Sequence, residues 1–259
     1  MSPKVETSAN GGIYTITLAD TDNRNALSRQ LLAEFNAAIE EAETDDSIRV
    51  VVVTNRGHIF CAGADLEEQT AGNATAGTAA IAELFDRIMA SPKPFIGRIA
   101  GHAIAGGLGL AASFDISVAV DEAKFGFTEV RVGVAPAIIS VICLPKMRRA
   151  EAAEAFLRGN RFPAGEAARL GLINAAVSAR DIDARIKSIV DDLLLGGPFA
   201  LTATKELLRR VPNMESQDGL AWAADLSAKL FASEEAAEGM AAYLKKRRPS
   251  WAPTEPPTD

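Results

Sequence analysis

A helical pattern followed by a short, mostly apolar strand recurs along the first half of this 259-residue chain. The helical stretches repeat apolar side chains every three or four positions, as amphipathic helices do, and each strand is mostly apolar, as a buried strand is. Such alternation is typical of an α/β core. The predicted pairs are 28–43 with 50–54, 81–89 with 95–99, and 108–114 with 116–120.

Two other segments frame this core. Near the N-terminus, strands at 5–8 and 13–18 flank an Asn-Gly-Gly turn, which is a hairpin signal. Residues 163–172 predict a short helix with Pro163 at its start, and a strand follows at 173–177.

The chain becomes wholly helical after the Gly-Gly-Pro break at 196–198. These helices expose more apolar surface than one helical hairpin can bury, which favours docking on a neighbouring subunit. We therefore predict a core over residues 1–195 and a C-terminal helical region over 196–259, with a loose tail from Ala252. The helices predicted in this region are 199–211, 214–231 and 233–246.

The composition restricts the partners that the chain can have. A net charge of −7 argues against nucleic-acid binding, which needs a basic face. The cationic cluster at 245–248 is either a phosphate contact or a solvated helix end. Two histidines and two cysteines offer little for a metal site or a disulfide framework, and we assign no metal. No apolar stretch approaches the roughly 20 residues that cross a bilayer and no apolar signal segment is present, so we expect a cytoplasmic protein without a membrane partner.

The segment 100–110 is rich in glycine and lies between a predicted strand and a short apolar helix. Its spacing fits a phosphate-binding loop in part, but Gly107 stands where that loop needs lysine, and Leu108 stands where a hydroxyl must hold magnesium. Residues 107–112 also fit a dinucleotide fingerprint, but too few residues separate them from the strand at Ile116 for the usual crossover helix. Taken alone, the glycines are also explained by close helix-strand packing.

Another loop of small residues, 60–65, comes first in the chain and follows the strand 50–54 in the same manner, so we call 60–65 the first loop and 100–110 the second. Two such loops can present two backbone N–H groups to one point, because small side chains let a ligand oxygen approach and a following helix adds positive potential. Enolate chemistry on a thioester needs this arrangement, since negative charge develops on the carbonyl oxygen. Each well-placed donor contributes about 3 kcal/mol to such a transition state.

At these residues the chain resembles the enoyl-CoA hydratase/isomerase, or crotonase, family, and the resemblance covers nearly its whole length. Each motif alone is weak, but together they are highly specific. The motifs, in chain order, are Asn25-Ala26-Leu27-Ser28, the loop 60–65, the loop 101–107, Asp115, Phe125-Gly126, Glu129, Gly133, Pro136, Gly171-Leu172-Ile173 and Lys246-Arg247. The resemblance implies a spiral of ββα turns with a C-terminal helical trimerisation region, assembled as homotrimers or dimers of trimers.

The resemblance also implies a site. It assigns the oxyanion donors to the N–H groups of Ala64 and Gly106 and the acid/base to Glu129. It implies an acyl-CoA substrate, of which coenzyme A is a part, and no separate cofactor. The segment 69–78 is implied to be the mobile edge of the acyl pocket. The residues implied to contact CoA or the acyl group are Arg24, Ala26, Ala62, Gly63, Asp65, Leu66, Gly107, Gly109, Pro136 and Lys246.

One position departs from the family's hydratases, which the resemblance implies use two glutamates to hold and activate water. The first falls at Gly109, whereas Glu129, which we place in an apolar strand, matches the second. In an apolar pocket, the pKa of Glu129 is expected to rise toward the range of a general acid/base. Glu67 and Glu68 are candidate substitutes for the missing acid, or simply a solvated helix start.

Three hypotheses follow from these residues. The first is a lyase that adds water across the 2,3-double bond of an enoyl-CoA, with Glu129 as its acid/base. The run 129–140 resembles a methylglutaconyl-CoA-hydratase-like branch, for whose carboxylated substrates Arg131 is a candidate ligand. The alternatives are an enoyl-CoA isomerase that uses Glu129 alone and a noncatalytic acyl-CoA-binding trimer.

Overall fold

The structure of the protein is a computed structural model, and it describes residues 2–70 and 74–253. The strands are β1 (Val5–Asn10), β2 (Ile13–Leu18), β3 (Val50–Asn55), β4 (Ile59–Cys61), β5 (Phe95–Ile99), β6 (His102–Ile104), β7 (Ile116–Val120), β8 (Lys124–Gly126), β9 (Phe162–Pro163) and β10 (Ala175–Val177). The helices are α1 (Arg29–Thr44), α2 (Leu66–Glu68), α3 (Ala74–Ala90), α4 (Gly106–Ser113), α5 (Ala137–Cys143), α6 (Arg149–Arg158), α7 (Ala164–Arg169), α8 (Ile182–Leu195), α9 (Pro198–Arg210), α10 (Ser216–Phe231) and α11 (Glu234–Leu244). Short 3-10 helices lie at Thr128–Val132, Leu144–Lys146 and Val211–Asn213.

Within the described residues, the strands form two sheets. The larger has the order β1-β2-β3-β5-β7-β10 and is parallel except for the β1–β2 hairpin. The smaller has the order β4-β6-β8-β9 and is parallel except for β8 with β9. Each of β3, β5 and β7 is followed by a strand of the smaller sheet and then by a helical segment, so the chain repeats a ββα unit.

The predicted helix-strand pairs are confirmed, because their apolar patterns match the buried faces. The Ser28 side chain caps α1 by accepting from the Leu31 N–H, and the four valines of β3 are buried, as expected of a parallel strand covered on both faces. The helix predicted at 163–172 is shorter, since the left-handed Gly171 follows soon after it. Strands β4, β6 and β8 escaped prediction from pattern because three residues are too few to show a period.

The smaller sheet brings the two glycine loops together. β4 and β6 pair in parallel, with Cys61 opposite Ala103, and β6 and β8 pair in parallel, with Ile104 opposite Gly126. The segments that follow the three strands therefore leave the sheet at the same edge. Their backbones approach closely here, because a methyl group on Gly107 would lie only 2.0 Å from the Cys61 carbonyl oxygen.

A buried cation fixes the C-terminal helices to the core. The Lys205 ammonium on α9 lies 2.8 Å from the Asp115 carboxylate and donates to the Lys93 carbonyl at 2.8 Å. It also lies 5.5 Å from the centre of the Phe95 ring. Burial lowers the pKa of Lys205, and the charge of Asp115 opposes this effect.

Residues 249–252 form contacts at the point where we expected a loose tail to begin. The Arg49 guanidinium donates to the Trp251 carbonyl, and the Trp251 indole donates to the Leu195 carbonyl at 3.0 Å. The Ala252 N–H closes a turn on the Pro249 carbonyl. The prediction of a loose tail is therefore wrong at Ala252, and its remainder, 254–259, lies outside the described residues.

The C-terminal helical region begins near its predicted boundary, since α8 ends at Leu195 and α9 begins at Pro198. Lys205 and Trp251 join this region to the rest of the chain. No helix in the part of the chain that the structure describes has both the length and the apolar content needed to cross a membrane.

Replacing Lys205 with Ala is expected to lower the free energy of unfolding by about 3 kcal/mol, because removing one partner leaves a half-buried carboxylate without its cation. Urea denaturation followed by circular dichroism measures this change. The exposed Lys229 on α10 provides the control, since Lys229→Ala is expected to change stability by no more than about 0.5 kcal/mol. Equal effects of the two substitutions would contradict the anchoring role of Lys205.

Candidate active site

The two glycine loops meet at Gly63 and Gly106. Gly63 has a φ of +92°, a conformation that glycine adopts without strain. A methyl group on Gly63 would lie 2.8 Å from the Gly106 nitrogen, and one on Gly106 would lie 3.5 Å from the Ala64 nitrogen. The absence of both side chains therefore lets the backbone amides of Ala64 and Gly106 lie next to each other.

Both of these amide groups are available to a ligand. Gly106 is the first residue of α4, so its N–H precedes the hydrogen-bond ladder of the helix. Among the backbone hydrogen bonds of the described residues outside helices and strands, none is donated by the Ala64 N–H. The N-terminus of α4 adds positive potential at the same point. This pair of donors can bind an oxygen atom that carries negative charge.

Ala105 holds the second loop in a strained conformation. Its φ of 52° and ψ of −125° are values that an L side chain rarely adopts. The Ala105 N–H donates to the Gly126 carbonyl at 2.9 Å, and its carbonyl accepts from Leu108 and Gly109. These bonds on both sides keep the peptide in place and direct the following Gly106 N–H.

Glu129 lies on the 3-10 helix Thr128–Val132, not on a strand as we predicted. The apolar residues before it do form β8, but the chain leaves the sheet after Gly126. The Glu129 Oε2 atom is buried and has no hydrogen-bond partner within the described residues. Burial raises the pKa of this carboxyl, and a bond from its own N–H only partly opposes the effect. Glu129 therefore has the environment of an acid/base group.

The space beside Gly109 is filled by a neighbouring helix. A methyl group on Gly109 would lie 2.2 Å from the Ile139 Cγ2 atom on α5 and 3.3 Å from the Phe85 ring. Ile139 and Phe85 are both buried. Position 109 therefore cannot carry a carboxylate in this structure, even though the implied first glutamate would fall there.

Comparison with known proteins identifies the relatives of this fold and site. The family model described as enoyl-CoA hydratase/isomerase matches residues 8–254. The chain belongs to the enoyl-CoA hydratase/isomerase family. It is 31% identical to the carnitinyl-CoA dehydratase of Proteus mirabilis, over 97% of this chain and 99% of that one. The crystal structure of an enoyl-CoA hydratase of Mycobacterium smegmatis superposes with a TM-score of 0.92 at 30% identity, covering 96% of this chain and 99% of that one. A Marinobacter aquaeolei enoyl-CoA hydratase/isomerase gives 0.89 at 30% identity, covering 96% and 98%.

These matches confirm the predicted family and its α/β fold with C-terminal helices. The chain is an enzyme of the enoyl-CoA hydratase/isomerase family. They do not specify the methylglutaconyl-CoA-hydratase-like branch, which stays a prediction.

In this family member, the predicted CoA-binding residues of the first two segments lie side by side. The Ala62 N–H donates to the Arg24 carbonyl at 3.2 Å. Ala26 is buried next to the bridge between Leu27 and Ala64. The Leu66 side chain, at the start of α2, is 60% exposed beside the loop.

Asp65 has an internal role. Its carboxylate caps α2 by accepting from the Glu67 and Glu68 N–H groups, and it accepts from the Asn23 amide at 2.7 Å. Glu68 in turn accepts from the Arg29 N–H at 2.9 Å. Asp65 thus shapes the loop 60–65. Glu68 stabilises the start of α1, a contact that neither of our interpretations of Glu68 included.

Two of our predictions concern the edge of the pocket, namely the role of Arg131 and the mobility of the segment 69–78. The Arg131 guanidinium donates to the Arg158 carbonyl at 2.8 Å, so it anchors the segment that carries Glu129 to the end of α6. This contact gives no support to binding of a substrate carboxylate. The segment 69–78 is described only in part, since residues 71–73 lie outside the described residues.

The remaining predicted residues lie on three different segments of the chain. Gly107 packs against Cys61, which makes it a close-packing position as well as a neighbour of the donors. Pro136 is buried immediately before α5. Lys246 is exposed in a left-handed turn after α11, with a φ of 52°. No contact within the described residues joins Lys246 to the glycine loops.

Asn25 is a site residue to which we assigned no role. It is fully buried with a φ of 52°, and its amide donates to the Ile59 carbonyl at 2.8 Å. This bond fixes the segment that includes Arg24 against β4. The sequence signal for Asn25 was that asparagine tolerates a left-handed backbone conformation. No such signal pointed to Ala105 or Ile139.

The strain at Ala105 predicts an unusual stability change. Ala105→Gly is expected to raise the free energy of unfolding by about 1 kcal/mol, because glycine adopts this conformation without a Cβ clash. The same change at Ala111, inside α4, is expected to destabilise by about 1 kcal/mol, because glycine is a poor helix former. Chemical denaturation of both variants measures the two signs. Destabilisation by both substitutions would contradict the strain at Ala105.

Proposed function

We propose that this enzyme is a hydratase-type lyase that adds water across the 2,3-double bond of an acyl-CoA thioester. One observation carries the proposal: the adjacent Ala64 and Gly106 amides lie at the same sheet edge as Glu129, whose Oε2 atom has no hydrogen-bond partner within the described residues. The names of the related proteins, which include a hydratase and a dehydratase of CoA esters, support it.

In the proposed reaction, the thioester oxygen accepts hydrogen bonds from the Ala64 and Gly106 N–H groups. The oxygen of water bonds to Cβ while Glu129 takes a proton from that water, and the electron pair of the double bond moves toward the thioester oxygen to form the enolate. Glu129 then returns the proton to Cα, so the net change is addition of H and OH. The preorganised donors stabilise the enolate by about 3 kcal/mol each.

The proposed CoA path runs over the first loop, along Arg24, Ala26, Ala62 and Leu66. The exposed Leu66 side chain and the Arg24 guanidinium suit a ligand with an apolar arm and phosphate groups. Lys246, from the cationic cluster, is proposed to supply further charge to the phosphates.

The proposed assembly is a homotrimer or a dimer of trimers in the cytoplasm. The C-terminal helices expose large apolar side chains that water solvates poorly, which supports burial against a second copy. Those with the largest exposed fractions are Tyr243, Leu244, Leu220, Phe199, Leu208 and Phe231, at 85%, 80%, 74%, 70%, 70% and 69%.

A second candidate function is isomerisation of a 3-enoyl-CoA to a 2-enoyl-CoA. The contact between Gly109 and Ile139 favours it, because it leaves Glu129 without a second carboxylate to hold water. Glu129 would remove a proton from Cα and return it to Cγ through the same enolate. Incubation with 2-enoyl-CoA and 3-enoyl-CoA esters separates the two functions, since only hydration removes conjugated absorbance.

The amide pair is tested by Gly63→Ala, whose methyl group would lie 2.8 Å from the Gly106 nitrogen. We expect kcat/KM to fall about 100-fold or more, because blocking one donor removes much of the enolate stabilisation. Gly11→Ala is the matched control, since Gly11 also has a positive φ but its added methyl group would contact nothing within 4 Å. Equal activity of the two folded variants would contradict the oxyanion role.

The acid/base is tested by Glu129→Gln, for which we expect turnover to fall roughly 1,000-fold. Burial raises the pKa of Glu129, so the acid limb of the kcat/KM profile should lie above pH 4.5, the ordinary glutamate value. Activity should decrease as the pH falls through this limb, because protonated Glu129 cannot accept a proton from water. The exposed Glu122 provides the control substitution, Glu122→Gln.

Unchanged turnover in Glu129→Gln would remove this residue from the mechanism. A wild-type protein that binds CoA esters but exchanges no α-proton with deuterated water would instead support the noncatalytic alternative.

A further inference from the structure

Ile139 occupies the space that a side chain at position 109 would need. Its Cγ2 and Cβ atoms would lie 2.2 Å and 2.9 Å from a methyl group on Gly109. Ile139 is only 2% exposed and belongs to the main hydrophobic core. The missing carboxylate has therefore not left an empty, water-filled cavity at this point.

The start of α5 lies near Glu129, because the Val134 N–H, three residues before α5, donates to the Glu129 carbonyl at 3.2 Å. Cys143 follows Ile139 by one helical turn, so the two side chains share a face. Burial raises the pKa of the Cys143 thiol to about 12, and the charge of Glu129 acts in the same direction. The face of α5 that seals Gly109 is thus within electrostatic range of the proposed acid/base.

A water molecule in a buried site needs two to four polar partners, about as many as its own hydrogen-bonding groups. The Glu129 Oε2 atom offers one acceptor without another partner in the described residues. Ile139 offers only methyl and methylene groups on the α4 side. The geometry therefore holds a catalytic water less firmly than a site with two carboxylates does.

We propose that Ile139 is a specificity-determining residue that sets the partition between water addition and double-bond transfer in this enzyme. The proposal rests on the function proposed above, since both reactions pass through the enolate held by Ala64 and Gly106. In water addition, a water O–H bond breaks, its oxygen bonds to Cβ, and Glu129 carries the proton to Cα. In double-bond transfer, Glu129 carries a proton from Cα to Cγ and no water enters. Ile139 restricts the first route and leaves the second unaffected.

The test measures both rates in the wild type, Ile139→Ala and Ile139→Val. Hydration is followed as loss of conjugated absorbance from a short straight-chain 2-enoyl-CoA. Isomerisation is followed as the gain of conjugated absorbance when the matching 3-enoyl-CoA is the substrate. Ile139→Ala removes the Cγ2 atom that fills the space at Gly109. Because a water molecule can then occupy this space beside Glu129, we expect the ratio of hydration to isomerisation to rise about tenfold. Ile139→Val keeps both γ carbons and should change the ratio less than about twofold.

A second pair of variants keeps the test decisive if Ile139→Ala does not fold. Ile139→Thr has nearly the shape of Ile139→Val and adds a hydroxyl that can hold water. The ratio should be higher in the threonine variant than in the valine variant. A purely structural role of Ile139 would lower both rates together and leave the ratio constant.

Exchange of the substrate α-proton with deuterated water distinguishes a failure of the proposed role of Ile139 from a failure of the proposed function. Exchange in the wild type together with equal ratios in the threonine and valine variants would overturn the role of Ile139 and leave the proposed function standing. No exchange in the wild type would overturn the proposed function itself.

Discussion

The structure of this site depends on the contact between two stretches of backbone at Gly63 and Gly106. A side chain on Gly63 would enter the space of the Gly106 nitrogen, so the contact exists only because the Cβ is absent. Parallel pairing of β4 with β6 sets the direction of both stretches, and the strained Ala105 sets the last peptide. Among the hydrogen bonds of the described residues, neither amide donates to an internal acceptor, so both remain available to a ligand.

A second constraint is electrostatic. Glu129 is half-buried, and no cation pairs with its carboxylate within the described residues, so burial raises its pKa and disfavours its ionised form. The folded state then binds more protons than the unfolded state above pH 4.5, and the contribution of this group to stability declines as the pH rises. Lys205, another buried ionisable group, has Asp115 as its partner and serves the fold instead. Glu129 is thus buried without a compensating charge among the described residues, whereas the charge of Lys205 is compensated by Asp115.

Predictability from sequence varied with the range of the interactions involved. Helix α1 and strand β3 were predictable, because the apolar side chains of each recur with the period of its own backbone. The Ala64 and Gly106 pair was located through family motifs, and its small residues gave a physical reason. The 3-10 helix of Glu129 was not predicted, because the preceding apolar residues continue a strand pattern beyond the point where the chain leaves the sheet. We predicted no role for Ile139, because it acts by packing against Gly109, which is 30 positions away in the chain.

The sequence by itself determined the α/β alternation, the family and the identity of the small loop residues, since each depends on local periodicity or on an ordered set of motifs. The tertiary structure alone decided that Ile139 fills the space over Gly109, that Arg131 is engaged by α6, and that Asp65 caps a helix. These outcomes depend on which distant side chains come to share a volume or a hydrogen bond. Packing fixes that only after the helices and strands have assembled, because no local pattern records the distance between residues remote in the chain.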